Sequence, residues 1–186
     1  MKHIIHSPFY WYDDKAWYIN SKASGIRTDI LRAILKQLTT MLYHHRKVFV
    51  FRFDLHTPSY TEKNELITDF NRRLFPRIER HYKLNRIGFL WVREQEKAKQ
   101  QHYHYVLMLD GSKIRSTYEI QNWIKEIWEF QDGTCHWSRF HDLKRNDEEG
   151  IQKASYHLSY LAKPRGKGYR PSQTKDFNSS RLKPKK

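Results

Sequence analysis

Residues 86–109 read RIGFLWVREQEKAKQQHYHYVLML, and this stretch decides the fold. Its two ends are rich in aromatic and branched apolar residues, which predicts two strands, 86–94 and 102–109. The polar residues 95–101 between them predict a loop. A connection this short pairs the strands as antiparallel neighbours, because parallel strands need a longer crossover.

The sequence on either side supplies two more strands and four helices. Residues 47–55 (KVFVFRFDL) predict a strand, and 134–140 predict a weaker one. Apolar residues at helical spacing predict helices at 27–45, 61–82, 116–130 and 150–162. This order predicts an α+β fold, a ferredoxin-like split βαβ antiparallel sheet with helices packed on it, in which 47–55 lies beside 102–109 at the centre. Two helices cover one face, and the other is either free for a site or closed by the last helix.

Composition places the chain among soluble, basic proteins. Its 186 residues carry 35 Lys or Arg against 20 Asp or Glu, a formal charge of +15, which favours a polyanion as partner, with nucleic acid ahead of an anionic membrane. Twelve Tyr, ten Phe and six Trp argue against disorder. No apolar run approaches the ~20 residues of a membrane span. The absence of an apolar signal segment and the single Cys135 are typical of a reducing cytoplasm.

The sequence predicts one domain and a tail. Residues 1–163 are expected to form a single catalytic domain, with an irregular N-terminal lead over 1–26. Residues 164–186 are rich in Lys, Arg, Gly, Pro and Ser and contain one acidic residue, Asp176. That composition predicts a basic and partly mobile tail.

Two histidines on one strand are candidate metal ligands. His102 and His104 are two residues apart, so their side chains project from the same strand face and suit one divalent ion. Glu94, at the end of the preceding strand, is the first candidate for the third ligand. Glu96, Asp54 and His56 are the alternatives, the last two because they end the predicted neighbouring strand.

The last helix carries candidate nucleophiles. Tyr156, Tyr160 and Lys163 stand at i, i+4 and i+7, which predicts that they share one helical face. A tyrosine hydroxyl is a weak nucleophile until a metal or a cation acts nearby, and a lysine one turn away supplies such a cation.

Together these motifs resemble those of HUH endonucleases, the rolling-circle replication initiators. Residues 94–108, with Glu94, His102 and His104, resemble the second motif of those proteins. Residues 51–56 (FRFDLH) are similar to the first and 160–163 (YLAK) to the third. The resemblance spans about residues 45–181 and is greatest to the inovirus (filamentous phage) replication-protein-like family found in bacterial prophages.

The resemblance implies a single-stranded DNA endonuclease and strand transferase that starts rolling-circle replication of a phage or mobile element. His102, His104 and a third ligand would hold Mg²⁺ or Mn²⁺, of which histidine ligands favour Mn²⁺. Tyr160 would form a 5′-phosphotyrosyl link, with Lys163 assisting. Tyr156 would be a helper or packing residue, because Ser159 stands where its lysine would be.

The implied partners are single-stranded DNA or a DNA hairpin at an origin, together with a host helicase and polymerase in the bacterial cytoplasm. No P-loop motif is present to drive unwinding. The oligomeric state stays open. Basic residues expected to line a DNA groove are Arg52, Lys97, Lys99, Arg165, Lys167 and Arg170.

Aromatic residues offer stacking platforms for unpaired bases. The candidates are Tyr103, Tyr105, Trp137 and Tyr169, although the strand positions of Tyr105 and Trp91 favour the core. Three other functions fit the same features. They are a DNA-binding regulator without nuclease activity, an RNA-binding module on the same sheet, and a transposase or relaxase with the same chemistry.

Overall fold

The structure is a computed structural model that describes residues 3–95 and 100–184. Glu96, Lys97 and Lys99, named above as candidate site residues, lie outside the described residues. The strands are β1 (Ile4–Ile5), β2 (Phe9–Tyr12), β3 (Lys15–Tyr18), β4 (Ile26–Arg27), β5 (Lys47–His56), β6 (Gly88–Glu94), β7 (His102–Asp110), β8 (Thr134–Lys144) and β9 (Phe177–Ser179). The helices are α1 (Thr28–His44), α2 (Glu65–Tyr82), α3 (Tyr118–Glu129) and α4 (Glu148–Ser159), followed by a 3-10 turn, Tyr160–Ala162.

A five-stranded antiparallel sheet in the order β8-β5-β7-β6-β9 forms the centre of the protein. The predicted α+β class is confirmed, and so is the predicted pairing of the strand at 47–55 with the strand at 102–109. Strands β5 and β7 both lie inside the sheet with a neighbour on each side. Polar residues at the end of β5 therefore lie directly opposite polar residues at the start of β7.

Helices cover both faces of this sheet. Helices α2 and α3 pack on the face formed by residues such as Phe51, Phe53 and Tyr105. Helices α1 and α4 pack on the opposite face, over Val50 and Val106. The last helix therefore closes the second face, and β5, β6 and β7 carry apolar residues on both sides because both sides are buried there.

The N-terminal segment contains four short strands, so the prediction of an irregular lead over 1–26 is wrong. Strands β2 and β3 form a hairpin around Asp13 and Asp14, which have left-handed backbone angles (φ 54° and 53°) and fit a tight hairpin turn. Trp17, on β3, is 2% exposed and belongs to the core under α1 and α4. Strands of two to four residues are too short to give a periodic signal in the sequence.

The C-terminal residues are also built into the domain, which corrects the prediction of a partly mobile tail over 164–186. Strand β9 pairs with β6 and extends the sheet. Asp176, which directly precedes it, is 4% exposed. Its carboxylate accepts hydrogen bonds from Arg27 Nη1 at 2.7 Å and from Arg170 Nε at 2.5 Å. The one acidic residue of the segment thus anchors it against a buried arginine.

Within residues 3–95 and 100–184, none of the helices combines the length and the apolar character needed to span a membrane.

Candidate metal centre

Strand register brings three predicted ligands to one place. Glu94 on β6 lies opposite His102 on β7, which lies opposite His56 on β5. One pleat further in, His104 lies opposite Asp54. Side chains two residues apart on a strand share a face, so all five project from the face that α1 and α4 cover.

Glu94, His102 and His104 form a group with the spacing of a metal site. Oε2 of Glu94 lies 3.7 Å from Nε2 of His102 and 3.2 Å from Nε2 of His104. One ligand atom from each of the three residues lies within 4.8 Å of the other two. Two imidazoles and one carboxylate fit a divalent transition ion such as Mn²⁺ better than Mg²⁺, which prefers oxygen ligands.

Asp54 orients His104 through the ring nitrogen that faces away from Glu94. Nδ1 of His104 donates a hydrogen bond to Oδ1 of Asp54 at 2.6 Å, because a carboxylate only accepts. This bond leaves the Nε2 lone pair of a neutral His104 facing Glu94, as expected of a partner that supports a metal ligand. Burial alone would lower the pKa of His104, but the hydrogen bonds with Asp54 and Glu94 outweigh it and raise that pKa.

His102 is held in its neutral, ligating form. Burial, followed by the nearby His104, lowers the pKa of His102 to about 4. His56 stacks on it, with ring centres 5.1 Å apart and planes 13° apart. Of the alternatives to Glu94, Asp54 and His56 therefore lie beside the ligand group and not within it.

A lysine neutralises the other oxygen of Glu94. Nζ of Lys167 lies 2.5 Å from Oε1 of Glu94 and also donates to the carbonyl of Lys163. Burial alone would raise the pKa of Glu94, but His104 and Lys167 lower it to about 2. Glu94 is thus a carboxylate at any physiological pH.

This contact corrects one predicted DNA contact, and a second is corrected nearby. The side chain of Lys167 is 1% exposed, so it does not line an open groove. Arg170 is bound to Asp176 and to the carbonyls of Pro171 and Ser172. Lys167 and Arg170 had been expected, as basic residues, to line a groove for the DNA backbone. Arg165 lies on the surface.

Arg52 connects the metal group to Tyr160. Nη2 of Arg52 lies 3.8 Å from Oδ1 of Asp54, and its guanidinium carbon lies 5.4 Å from the centre of the Tyr160 ring. Tyr160 begins the 3-10 turn after α4 and is 47% exposed. The predicted nucleophile is therefore accessible and lies next to a cation that also faces Asp54, the partner of His104.

The other two residues of the predicted tyrosine motif point elsewhere. Helix α4 ends at Ser159, so the expectation of one helical face for Tyr156, Tyr160 and Lys163 is wrong. Lys163 follows the 3-10 turn in extended conformation, and its ammonium donates to the carbonyl of Lys22. Tyr156 stacks on Tyr18, with ring centres 4.8 Å apart and planes 13° apart.

The aromatic platforms also differ from the prediction. Tyr103 and Tyr105 are fully buried, so they do not stack on bases; the packing role expected for Tyr105 and Trp91 is confirmed. Trp137 and Tyr169 are 41% and 49% exposed.

A second aromatic group escaped the sequence prediction. Phe9, which is half exposed, packs on Tyr18, which in turn stacks on Tyr156. The aromatic stretch FYWY at 9–12, followed by Asp13 and Asp14, was the available signal of a hairpin that presents this group, because aromatic residues favour strands and Asp favours turns.

Comparison with known proteins identifies a family. No curated protein and no solved structure matches the chain significantly. The family model described as YagK/YfjJ C-terminal domain matches residues 12–180, which include all five strands of the central sheet. The chain therefore belongs to the YagK/YfjJ C-terminal domain family.

Proposed function

We propose that this protein is a metal-dependent endonuclease of the HUH type that nicks single-stranded DNA through a covalent link to Tyr160. The observation that carries the proposal is the arrangement of the Glu94, His102 and His104 group with Tyr160 on one face of the sheet, bridged by Arg52. A divalent ion site and an accessible tyrosine are the two parts that such chemistry needs.

The strand order supports a ferredoxin-like sheet. Strands β5, β6, β7 and β8 follow one another along the chain with α2 and α3 between them, and they lie in the order β8-β5-β7-β6. This is the order of a split βαβ unit, with both crossover helices on one face. In this proposal α1, α4 and β9 are additions that close the second face around the site.

The proposed reaction exchanges one phosphodiester for another. Oη of Tyr160 attacks the phosphorus and loses its proton to water. The bond from phosphorus to the 3′ oxygen breaks, and that oxygen takes up a proton as a free 3′-hydroxyl. The 5′ end remains on Tyr160 as a phosphotyrosine. Because the number of phosphodiester bonds is unchanged, attack by a 3′-hydroxyl reverses the step and joins strands.

The protein's own groups have separate parts in this step. When bound, the divalent ion polarises the phosphoryl oxygens and offsets the charge that develops on them. Arg52 lies over the Tyr160 ring, where its positive charge would offset negative charge that develops during the attack. This is the role that the sequence suggested for Lys163, whose ammonium instead binds the Lys22 carbonyl. Asp54 accepts the Nδ1 proton of His104, so in the neutral ring that would bind a metal the lone pair is on Nε2.

The biological setting follows from the resemblance to rolling-circle initiators. We propose that the protein nicks single-stranded DNA or a hairpin at an origin in the bacterial cytoplasm and depends on a host helicase and polymerase. The charge of +15 supports salt-dependent binding to the DNA backbone. Mn²⁺ is the proposed ion and Mg²⁺ the alternative.

One contact favours a second candidate, a DNA-binding regulator without cleavage. The ammonium of Lys167 already neutralises Glu94, so the group is electrically satisfied without a metal. Such a protein would bind DNA equally well in EDTA and in Mn²⁺ and would not cut it in either.

A cleavage assay separates the two. End-labelled single-stranded oligonucleotides of random sequence are incubated with the protein in Mn²⁺ or in EDTA. We expect the wild-type protein to produce fragments with a free 3′-hydroxyl in Mn²⁺ but not in EDTA. The His102→Ala and His104→Ala proteins should produce no fragments in either. His81→Ala, on α2 across the sheet, is the matched control and should cut normally. Cleavage in EDTA, or by the His102→Ala protein, would refute the metal-dependent mechanism.

A further inference from the structure

A polar cavity of about 280 Å³ opens beside Tyr160. Two arginines, Arg52 and Arg139, and two histidines, His141 and His157, line it together with Tyr160. None of the described residues in its lining is acidic. Such a cavity suits an anion, and arginine is the side chain best shaped to bind the oxygens of a phosphate.

An irregularity in the sheet builds this cavity. In the pairing of β5 with β8, Phe51 lies opposite Phe140 and Phe53 lies opposite Trp137, with a shift of register between them. Strand β8 therefore has Ser138 and Arg139 where β5 has only Arg52. This β-bulge places both residues at the cavity wall, and bulges commonly re-aim side chains next to functional sites.

The histidine pair shows how positive the surroundings are. Nε2 of His141 lies 3.3 Å from Nδ1 of His157, a distance at which one ring donates to the other. Burial, followed by the nearby His157, Lys153 and Arg139, lowers the pKa of His141 to about 4. Burial, followed by Arg139, Lys153 and Arg52, also lowers the pKa of His157. An anion beside this pair would offset the positive charges that disfavour protonation of either ring.

We propose that this cavity is a second phosphate subsite, which holds the DNA phosphodiester next to the one that Tyr160 attacks. This inference rests on the proposed nuclease function, because it takes single-stranded DNA as the substrate. Arg52 connects the cavity to the metal site: it lines the cavity, and it faces Asp54, the hydrogen-bond partner of the predicted ligand His104. Arg52 and Asp54 are two residues apart on one face of β5, about 7 Å between Cα atoms, so the cavity and the metal group follow one another along this strand.

Two stacked aromatic rings on the segments that carry the cavity's lining residues favour a DNA phosphate over a free one. Asn20 also lines the cavity, and its backbone N–H donates to Oγ of Ser159 at 2.9 Å, which ties the segment after the β2–β3 hairpin to the end of α4. Tyr18 is two residues before Asn20, and Tyr156 is one turn before Tyr160. A strand whose phosphate occupies the cavity would therefore have a stacked pair of rings close by for its base.

The binding test avoids cleavage and metal altogether. Tyr160→Phe protein in EDTA is titrated with a fluorescent 12-residue oligothymidylate at several salt concentrations. Adding Arg139→Gln should weaken binding about five- to tenfold and reduce the slope of log affinity against log salt by about 0.7, the value for one lost phosphate contact on a single strand. Arg139 is exposed, so the substitution should leave folding intact.

A matched control is Arg80→Gln, an exposed arginine of α2 across the sheet, which should leave affinity and slope unchanged. Equal affinities and slopes for the Arg139→Gln and parent proteins would overturn the subsite. Equal displacement of the oligothymidylate by inorganic phosphate and by unlabelled oligothymidylate at equal concentrations would overturn its assignment to DNA.

The two proposals fail separately. If wild-type protein cuts DNA in Mn²⁺ while Arg139→Gln binds normally, the subsite is wrong and the nuclease stands. If Arg139→Gln weakens binding while wild-type protein never cuts, the cavity is a DNA phosphate site and the nuclease proposal is wrong.

Discussion

Glu94 on β6 lies directly opposite His102 on β7, with Oε2 of the carboxylate 3.7 Å from Nε2 of the imidazole. The pairing of the two strands sets this distance, since both residues are within the ladder. The ligand group is therefore fixed by the register of the sheet and does not depend on the path of the loop that joins the strands.

The orientation of His104 by Asp54 predicts a loss of metal affinity on Asp54→Asn. The amide no longer attracts the Nδ1 proton as a charged acceptor, so the neutral tautomer with Nε2 free loses its support. We expect Mn²⁺ binding, measured by calorimetry, to weaken about 10- to 100-fold. Asp142→Asn, in an ion pair with Lys47 on the same sheet, is the control. Unchanged affinity in Asp54→Asn would show that Asp54 does not support the site.

Lys167→Gln should destabilise the protein without metal and increase its response to Mn²⁺. The substitution removes the cation that pairs with the partly buried carboxylate of Glu94. Leaving that carboxylate without this partner lowers the free energy of unfolding by about 1–3 kcal/mol. The substitution also removes a positive charge that repels the ion. Thermal unfolding should show a lower Tm in EDTA, and a larger rise in Tm with Mn²⁺ than in wild type. An equal rise in both proteins would mean that Lys167 and the metal do not interact.

Stability should fall in acid partly because of His141. Its pKa in the folded protein, about 4, lies below the ordinary 6.5, so between these values the unfolded chain binds the proton first and stability drops as pH falls. The full shift corresponds to at most about 3 kcal/mol, and partial exposure reduces it.

His141→Gln removes this contribution, because glutamine does not titrate. Urea unfolding at pH 7.5 and pH 4.5 should show a smaller difference in stability for His141→Gln than for wild type. The groups that face His141 are His157, Lys153 and Arg139, and all of them disfavour its charged form. A difference equal to that of wild type would contradict the low pKa.

Asp176→Asn should loosen the C-terminal segment. It removes the charge that is buried between Arg27 and Arg170, and breaking such a pair costs about 3–5 kcal/mol. Urea unfolding measures the loss, and faster proteolysis after residue 164 would locate it. Glu148→Gln, which breaks an exposed pair with Lys15, should cost less than about 1 kcal/mol. Equal costs for the two variants would contradict the anchoring role.

Local periodicity in the sequence was enough to predict four of the five strands of the central sheet and the pair of His102 and His104 on one strand face. The alternation around His102 and His104 fixes which residues share a face, and the short connection fixes the antiparallel neighbour that carries Glu94. The choice of Glu94 over Asp54 and His56 needed the register, because a shift of one residue would have sent each side chain to the other face.

The parts that the sequence did not predict depend on contacts between distant segments. Lys167 and Glu94 are 73 residues apart, and Asp176 and Arg27 are 149 apart. A basic, glycine-containing tail has no local feature that shows where its lysines will fold back. The end of α4 at Ser159 was missed because the apolar residues of Tyr160–Ala162 continue the helical spacing in the sequence. The backbone of these three residues nevertheless forms a 3-10 turn.

The central claim is that Tyr160 attacks DNA phosphorus with the help of the metal group, and one measurement tests it directly. Protein incubated with Mn²⁺ and 3′-labelled single-stranded DNA is denatured, and the covalent protein–DNA adduct is isolated and mapped by peptide mass spectrometry. We expect the label on the peptide that contains Tyr160, no adduct from Tyr160→Phe, and a normal adduct from Tyr169→Phe, another half-exposed tyrosine of the same chain. An adduct that survives Tyr160→Phe, or that maps to Tyr156, would contradict the account.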